Sequence, residues 1–291
     1  MRPDIKTIKL VPGAIPSIPS MEPPKDPNAP LSAGSLILGG KYVVEGILGK
    51  GGMGMVVSAR HKVLGRCDAI KFLLPQLITN DEILKRFERE ARAVANLTSP
   101  HVARVYDSGF TEAHEPYIVM EFLEGEDLKS VSRRGPLPIE EVVDYLLQVC
   151  HALTEAHENG IVHRDLKPAN LFLTNLKDGS QIIKVLDFGI AKEIDADPVT
   201  EITVEAGTHG FLGTIPYMSP EHLRGARAVD ARTDIWALGV IAYELLTTKK
   251  PFNGLTKLDL VSNITSPNEF PAPPSKYCRG LAQAIEMVIG R

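Results

Sequence analysis

Residues 161–174 read IVHRDLKPANLFLT. His163, Arg164, Asp165, Lys167 and Asn170 crowd into one short stretch, and an apolar run of strand character follows them. A charged cluster in a loop is often only a solvated surface, so its meaning rests on its neighbours. Further on, IIKVLDFG at 182–189 is a second β-rich run, and it leads into Asp187. Paired as a hairpin across residues 175–180, the two runs carry Asn170 and Asp187 to one edge. Oxygens of Asp and Asn are natural Mg2+ ligands, and Mg2+ is commonly held by one or two such side chains plus substrate phosphates. Asp165 is then left for proton transfer.

Upstream the texture divides the chain into two lobes. YVVEGILG from Tyr42, MVVSARHK from Met55 and RCDAIKFLL from Arg66 are short β-rich runs, which predict a small antiparallel sheet. Residues 81–97 repeat apolar side chains at Ile83, Leu84, Phe87, Ala91, Val94 and Leu97, a helical spacing. Strand candidates follow at 102–106 and 117–122. From 139 to 158 a broad apolar face through Val142, Leu146, Val149 and Leu153 marks a long helix closed by Gly160. IWALGVIAY, Ile235 to Tyr243, reads as a buried helix. The expected architecture is α+β and bilobal. A sheet with one helix occupies about 41–121, a connection lies at 121–125, and a larger, mainly helical lobe runs over 126–291.

Residues 1–40 hold eight prolines and read as a mobile tail, because such a segment can build neither a helix nor a central strand. A net charge of -4 gives no polybasic reason to expect nucleic acid. Cys67, Cys150 and Cys278 lie far apart without ligand spacing, which fits a reducing compartment rather than a disulfide scaffold or a zinc site. No signal segment is visible and IWALGVIAY is too short to cross a bilayer, so a cytoplasmic location is expected.

GKGGMGMV at 49–56 places glycines at 49, 51 and 54 between two strand-like runs. A dinucleotide fold wants this spacing between a strand and a helix. Here it is either a tight turn or a hairpin whose backbone N–H groups lie over phosphates. Lys71, after Ala69 and Ile70, is a point charge suited to phosphate oxygens, unless it merely reaches solvent. Of the acids on the next helix, Glu90 lies in line with Phe87, Ala91 and Val94 and is the expected partner, with Glu88 outside.

Taken in order, these motifs resemble the eukaryotic-type (Hanks-type) protein kinase family, most of all its bacterial serine/threonine members. The resemblance covers roughly residues 40–291. It runs through the glycine-rich loop ending in Val56, Lys71 in AIK, Glu90, HRDLKPAN at 163–170, DFG at 187–189, and SPE at 219–221 in the place of APE. It implies ATP- and Mg2+-dependent phosphoryl transfer to serine or threonine of proteins, with Mn2+ as a substitute ion, and autophosphorylation between self-associated copies. Lys71, held by Glu90, would contact phosphates under the loop Gly49, Lys50, Gly51, Gly52, Met53 and Gly54. Asp187 and Asn170 would bind the metal, Asp165 would deprotonate the substrate hydroxyl, and Lys167 and Thr214 would assist it. Val56 would belong to the nucleotide-binding loop, Ala69 would form part of the roof over adenine, and Met120 would gate the back of its pocket. Glu121 to Leu123 would form the backbone hinge, and Glu126 or Asp127 would reach the ribose. Val94, Val105, His163 and Phe188 resemble the stacked spine between lobes, which makes His163 a packed residue. Asp234 resembles the buried acid that holds the catalytic-loop backbone. Lys167 and GTIPYMSPE fit the serine/threonine pattern rather than the tyrosine one. Thr200, Thr203, Thr208 and Thr214 are candidate phosphorylation positions, with Arg164 as the pairing cation and Thr203 and Thr208 the better placed.

Two departures stand out. Asp68 occupies a position where the family has a small apolar residue, and strand alternation allows it to face outward without consequence. After Gly254, LAQAIEMVIG resembles only the beginning of the family's last helices, and the arginine that would pair with Glu221 is not seen. A shortened second lobe is therefore expected, with a catalytically impaired kinase-fold binding or scaffold protein as the alternative.

Overall fold

Alternation of apolar side chains builds the first lobe as a six-stranded antiparallel sheet. Its strands are β1 (Leu36–Ile37), β2 (Tyr42–Lys50), β3 (Gly54–His61), β4 (Cys67–Leu73), β5 (Val105–Phe110) and β6 (Pro116–Glu121), in the order β1-β2-β3-β4-β6-β5. The computed structural model describes residues 32–51, 54–188, 214–225, 229–266, 268, 270–278 and 280–289. The expectations for Gly52, Met53, Thr200, Thr203, Thr208 and residues 1–31 of the proline-rich segment fall outside these residues. The sheet begins earlier than the tail expected over 1–40 allows. Ahead of the Leu36–Ile37 strand, Gly34 N–H donates to Val44 O at 2.8 Å and Val44 N–H to Ser35 O at 2.9 Å.

Val57, Ala59, Ile70, Phe72 and Val119 share one face of the sheet with Tyr42 and Val44 in a buried apolar cluster. On the other face, Leu73, Ile118 and Met120 pack against Phe87 and Ala91 of α1 (Asp81–Ala95). This helix starts where Asn80 Oδ1 accepts the N–H groups of Glu82 and Ile83 at 3.0 and 3.2 Å, the usual side-chain answer to unpaired N–H groups at a helix start. Ala69 and Lys71 lie on the same face of β4 as Leu73, which packs against α1.

Asp68 corrects the reading of an outward, idle carboxylate. It is 1% exposed, accepts Tyr42 Oη at 3.0 Å, and is paired with Arg66, whose Nε lies 2.9 Å from Oδ1. Arg66 in turn covers the Tyr106 ring at 4.2 Å. Burial and the Asp68 contact push the Tyr42 phenol up to about 12. The acid lies on the face of β4 opposite Lys71 and does not compete for it.

Gly54 shows a second reason for glycine in the 49–56 loop. A Cβ there would lie 2.5 Å from the carbonyl oxygen of Phe72, on the neighbouring strand backbone, which has no side chain to swing away. Gly54→Ala is expected to destabilise the first lobe by about 1–3 kcal/mol, the range for overpacking at a fixed contact. Thermal unfolding measures this, and an unchanged melting temperature would contradict it.

The second lobe is assembled from β7 (Gly125–Asp127), β8 (Leu171–Asn175) and β9 (Gln181–Val185), with α2 (Leu128–Ser132), α3 (Ile139–Glu158), α4 (Pro220–Leu223), α5 (Arg232–Thr247), α6 (Lys257–Thr265) and α7 (Gln283–Ile289). β8 and β9 form the expected hairpin across 175–180, with Leu171 opposite Val185. The helix around Ile235 to Tyr243 is α5, whose Ala237, Val240, Ile241, Leu245 and Leu246 share one core with Tyr145, Val149 and Leu153 of α3 and Leu171 and Ile183 of the hairpin. Among the described residues no helix is long and apolar enough to cross a membrane.

The lobes are joined behind the cleft as well as through 121–125. Leu97 and Val102, between α1 and β5, belong to the core of the second lobe, and Val102 bridges Val185 in parallel. Glu155 of α3 accepts Thr98 N–H at 2.8 Å, Thr98 Oγ1 at 2.7 Å and Ser99 N–H at 2.7 Å.

Candidate active site

Lys71 projects from β4 between the lobes. Its Nζ donates to Glu90 Oε1 at 2.9 Å and to Asp187 Oδ1 at 2.8 Å. Helical phase explains the choice of partner: Glu90 is buried beside Phe87 and Ala91, whereas Glu88 is exposed. Burial works against the Lys71 charge, but Asp187 and Glu90 outweigh it and push its pKa up, so it is an ammonium throughout the neutral range. Lys71 in return holds the Asp187 carboxyl below the usual carboxylate range. Burial raises Glu90, with Lys71 opposing it.

Asp187 follows β9 and has φ +47, a left-handed conformation that Asp and Asn tolerate better than most residues. Its side chain remains half-exposed to the cleft. Leu186 N–H donates to Asn170 O at 2.9 Å, which sets the turn carrying Asn170 against the one carrying Asp187. Asn170 Nδ2 donates to Asp165 O at 2.8 Å, which leaves its Oδ1 as the acceptor. Asp187 and Asn170 thus offer hard oxygen donors at one edge, a set that suits Mg2+ completed by phosphate oxygens and does not suit a nitrogen- or sulfur-seeking ion.

Asp165 sits at the neighbouring turn. Lys167 Nζ donates to Asp165 Oδ2 at 2.9 Å and to Thr214 Oγ1 at 3.2 Å, so the three residues expected to act together are in contact. His163 is fully buried and packs on Phe188 with ring centroids 4.8 Å apart. Asp165 N–H donates to His163 Nδ1 at 3.3 Å, so Nε2 carries the proton and donates to Leu186 O at 3.0 Å. Both ring nitrogens are used in packing, leaving no base there. Beneath the loop, Asp234 Oδ2 accepts His163 N–H and Oδ1 accepts Arg164 N–H, each at 2.9 Å, and His157 Nε2 lies 2.8 Å from Oδ2. Burial alone would raise Asp234; these contacts overcome it and hold the acid below the usual range.

The remaining expected positions line the first-lobe side. Gly51 N–H donates to Gly54 O at 2.8 Å, and Gly49 pairs with Val56 and Lys50 with Met55 across the hairpin. Val56 stands opposite Lys71, and Ala69 opposite Met120. Glu121 ends β6, its N–H already donated to Arg104 O at 2.8 Å, while Leu123 N–H makes no hydrogen bond among the described residues. Glu126 and Asp127 separate here. Asp127 caps α2, accepting Ser130 N–H at 2.9 Å and Ser130 Oγ at 3.2 Å, whereas Glu126 is held by Arg134 at 2.7 and 2.9 Å near the surface.

Several contacts have no counterpart in the sequence reading. Tyr217 Oη donates to Glu244 Oε2 at 2.5 Å, and Lys250 donates to both Tyr217 Oη and, at 2.9 Å, Glu244. Burial and Glu244 push the Tyr217 phenol up. The available signal is an acid, Glu244, within the apolar run Ile235–Leu246 of α5. Lys184, buried in β9 against Glu121, stands in the sequence only as a residue of the IIKVL run. Glu221 is half-buried and makes no ion pair among the described residues.

Residues 42–279 match the family described as protein kinase domain. Serine/threonine-protein kinase Pkn1 of Myxococcus xanthus is 44% identical over 247 residues, covering 84% of this chain and 34% of that protein. PknB of Mycobacterium tuberculosis is 38% identical over 256 residues, covering 87% and 39%. Among solved structures, the Mycobacterium tuberculosis PknI kinase domain superposes with a TM-score of 0.61 at 27% identity, covering 89% of this chain and 98% of that one. The chain therefore spans only 34% and 39% of the length of these two curated relatives. With its lobes, its lysine–glutamate pair, its HRD turn and Asp187 in these positions, the chain belongs to the protein kinase domain family and is closely related to the bacterial serine/threonine kinases.

Proposed function

We propose that the cleft transfers the γ-phosphoryl group of ATP, bound with Mg2+, to serine or threonine hydroxyls of proteins, including those of the chain's own segment between DFG and SPE. The observation that carries this reading is the convergence of Lys71 on Glu90 and Asp187 beside the contact of Asp165, Lys167 and Thr214. Few side chains of this set can do covalent chemistry, but together they can place two reactants and neutralise charge, which is most of what phosphoryl transfer requires.

In this reading Ala69, Val56 and Met120 enclose adenine, and the backbone of 121–123 meets its polar edge. Glu126 serves the ribose better than Asp127, because its carboxylate is held only by the exposed Arg134 side chain, whereas Asp127 is tied to the backbone and side chain of Ser130 in the α2 cap. Lys71 receives phosphate oxygens beneath the 49–54 loop. Asp187 and Asn170 would hold Mg2+, and Mn2+ fits the same oxygens; the ion, when bound, neutralises charge on the phosphates. Asp165 accepts the proton of the substrate hydroxyl while its oxygen bonds to the γ-phosphorus and the bond to ADP breaks. Lys167 counters the charge of the transferred group. Two copies meeting face to face would allow one to phosphorylate the other.

Phosphoamino-acid analysis after incubation with Mg-ATP and a mixed protein substrate tests the acceptor class. Phosphoserine and phosphothreonine are expected; phosphotyrosine as the main product would contradict the reading.

A further inference from the structure

Lys184 lies between Ile183 and Val185, which are almost completely buried, and its own side chain is 8% exposed. A lysine is rarely buried unless paired, and a strand covered on both faces would be at least as stable with an apolar residue there. The charge is therefore tied to geometry. Its Nζ donates to Glu121 Oε2 at 2.9 Å and to Val102 O at 3.4 Å. Glu121 Oε2 also accepts Arg104 N–H at 3.3 Å. Around this contact Val185 N–H donates to His101 O at 2.8 Å and Ala103 N–H to Val185 O at 3.2 Å. Residues 101–104, the end of β6 and β9 are thus one knitted unit behind the cleft. Beyond β9 the same strand leads to Asp187, and Leu186 is bonded to Asn170.

We infer that Lys184 is a positioning residue for the nucleotide, setting, through Glu121, the spacing between the lobe connection that receives the base and the Asp187–Asn170 edge that receives the phosphates. The inference rests on the nucleotide reading above. If Lys184 is removed, the two ends of the nucleotide are no longer held at matched distances. Because that spacing serves the bound ground state and the transition state alike, its loss raises KM and largely spares kcat.

The test compares the parent chain with Lys184→Met, Glu121→Gln and the double variant, measuring initial rates against ATP concentration together with melting temperature. Methionine keeps the stem and volume and removes the ammonium. KM for Mg-ATP should rise about tenfold in Lys184→Met with kcat within about threefold, and the double variant should be no worse than Lys184→Met, as expected for one shared contact. If Lys184→Met does not fold, Glu121→Gln, which loses its charge at the less buried end, must still raise KM. An unchanged KM with a lower melting temperature overturns the inference and leaves a structural ion pair. A higher kcat at unchanged KM also overturns it, in favour of a restraint on the cleft. A parent that neither binds nor turns over Mg-ATP overturns the nucleotide reading itself and this inference with it.

Discussion

Asp187→Asn is expected to lower phosphoryl transfer by about three orders of magnitude, the upper range for removing one electrostatic contact to a developing charge, while the fold is retained. The substitution isolates charge from conformation. Asp187 has φ +47, and asparagine adopts that region as readily as aspartate, so the backbone has no reason to move. Lys71 loses one carboxylate partner at 2.8 Å but keeps Glu90 at 2.9 Å, so it stays in place. What disappears is the anionic oxygen that would hold the cation and set it against Lys71. Steady-state rates on a protein substrate, with circular dichroism as a control on folding, measure the effect. Activity within tenfold of the parent would remove Asp187 from the metal site.

Asp234→Ala should be the most damaging single change to stability, at roughly 3–5 kcal/mol, the cost of leaving buried polar partners of a removed charge unmatched. The carboxylate receives His163 N–H, Arg164 N–H and His157 from three directions at 2.8–2.9 Å and is 1% exposed. With total domain stabilities of about 5–15 kcal/mol, such a loss approaches global unfolding. Asp234→Asn, which keeps one acceptor, should unfold at intermediate denaturant concentration. The pH dependence has a definite sign. Asp234 is held below its unfolded pKa of about 3.9, so its stabilisation is complete above that value and is lost as pH falls through the lower folded pKa. Asp234→Asn should lose that part of the acid-limb slope. An alanine variant as stable as the parent at neutral pH would show that Asp234 is not the anchor of the catalytic loop.

Much of this arrangement was legible in the chain because it depends on local periodicity. The phase of α1 separates Glu90 from Glu88, the alternation in β4 puts Ala69 and Lys71 on one face, and the two runs around 175–180 can form only a short hairpin. Most of what escaped depends on cover and contacts that periodicity does not encode. Asp68 is buried because Tyr42, two strands away, and Arg66 close over it, and strand alternation alone carries no information about that cover. Asp127 became a helix cap because Ser130 follows it at the right offset, a local pattern that the expected ribose role obscured. Leu36–Ile37 joins the sheet although prolines dominate the segment before it, because β2 offers a free edge and two residues of pairing suffice. Tyr217, Glu244 and Lys250 meet through the packing of α5, which no window of the sequence contains.

The most direct test of the central claim is the intact mass of the purified chain after incubation with Mg-ATP, with Asp165→Asn treated alongside. The parent should gain whole phosphate increments and the variant none, because Asp165 is the group proposed to take the hydroxyl proton. A parent that gains no phosphate and modifies no added protein, or an Asp165→Asn chain that gains as much as the parent, would contradict the account.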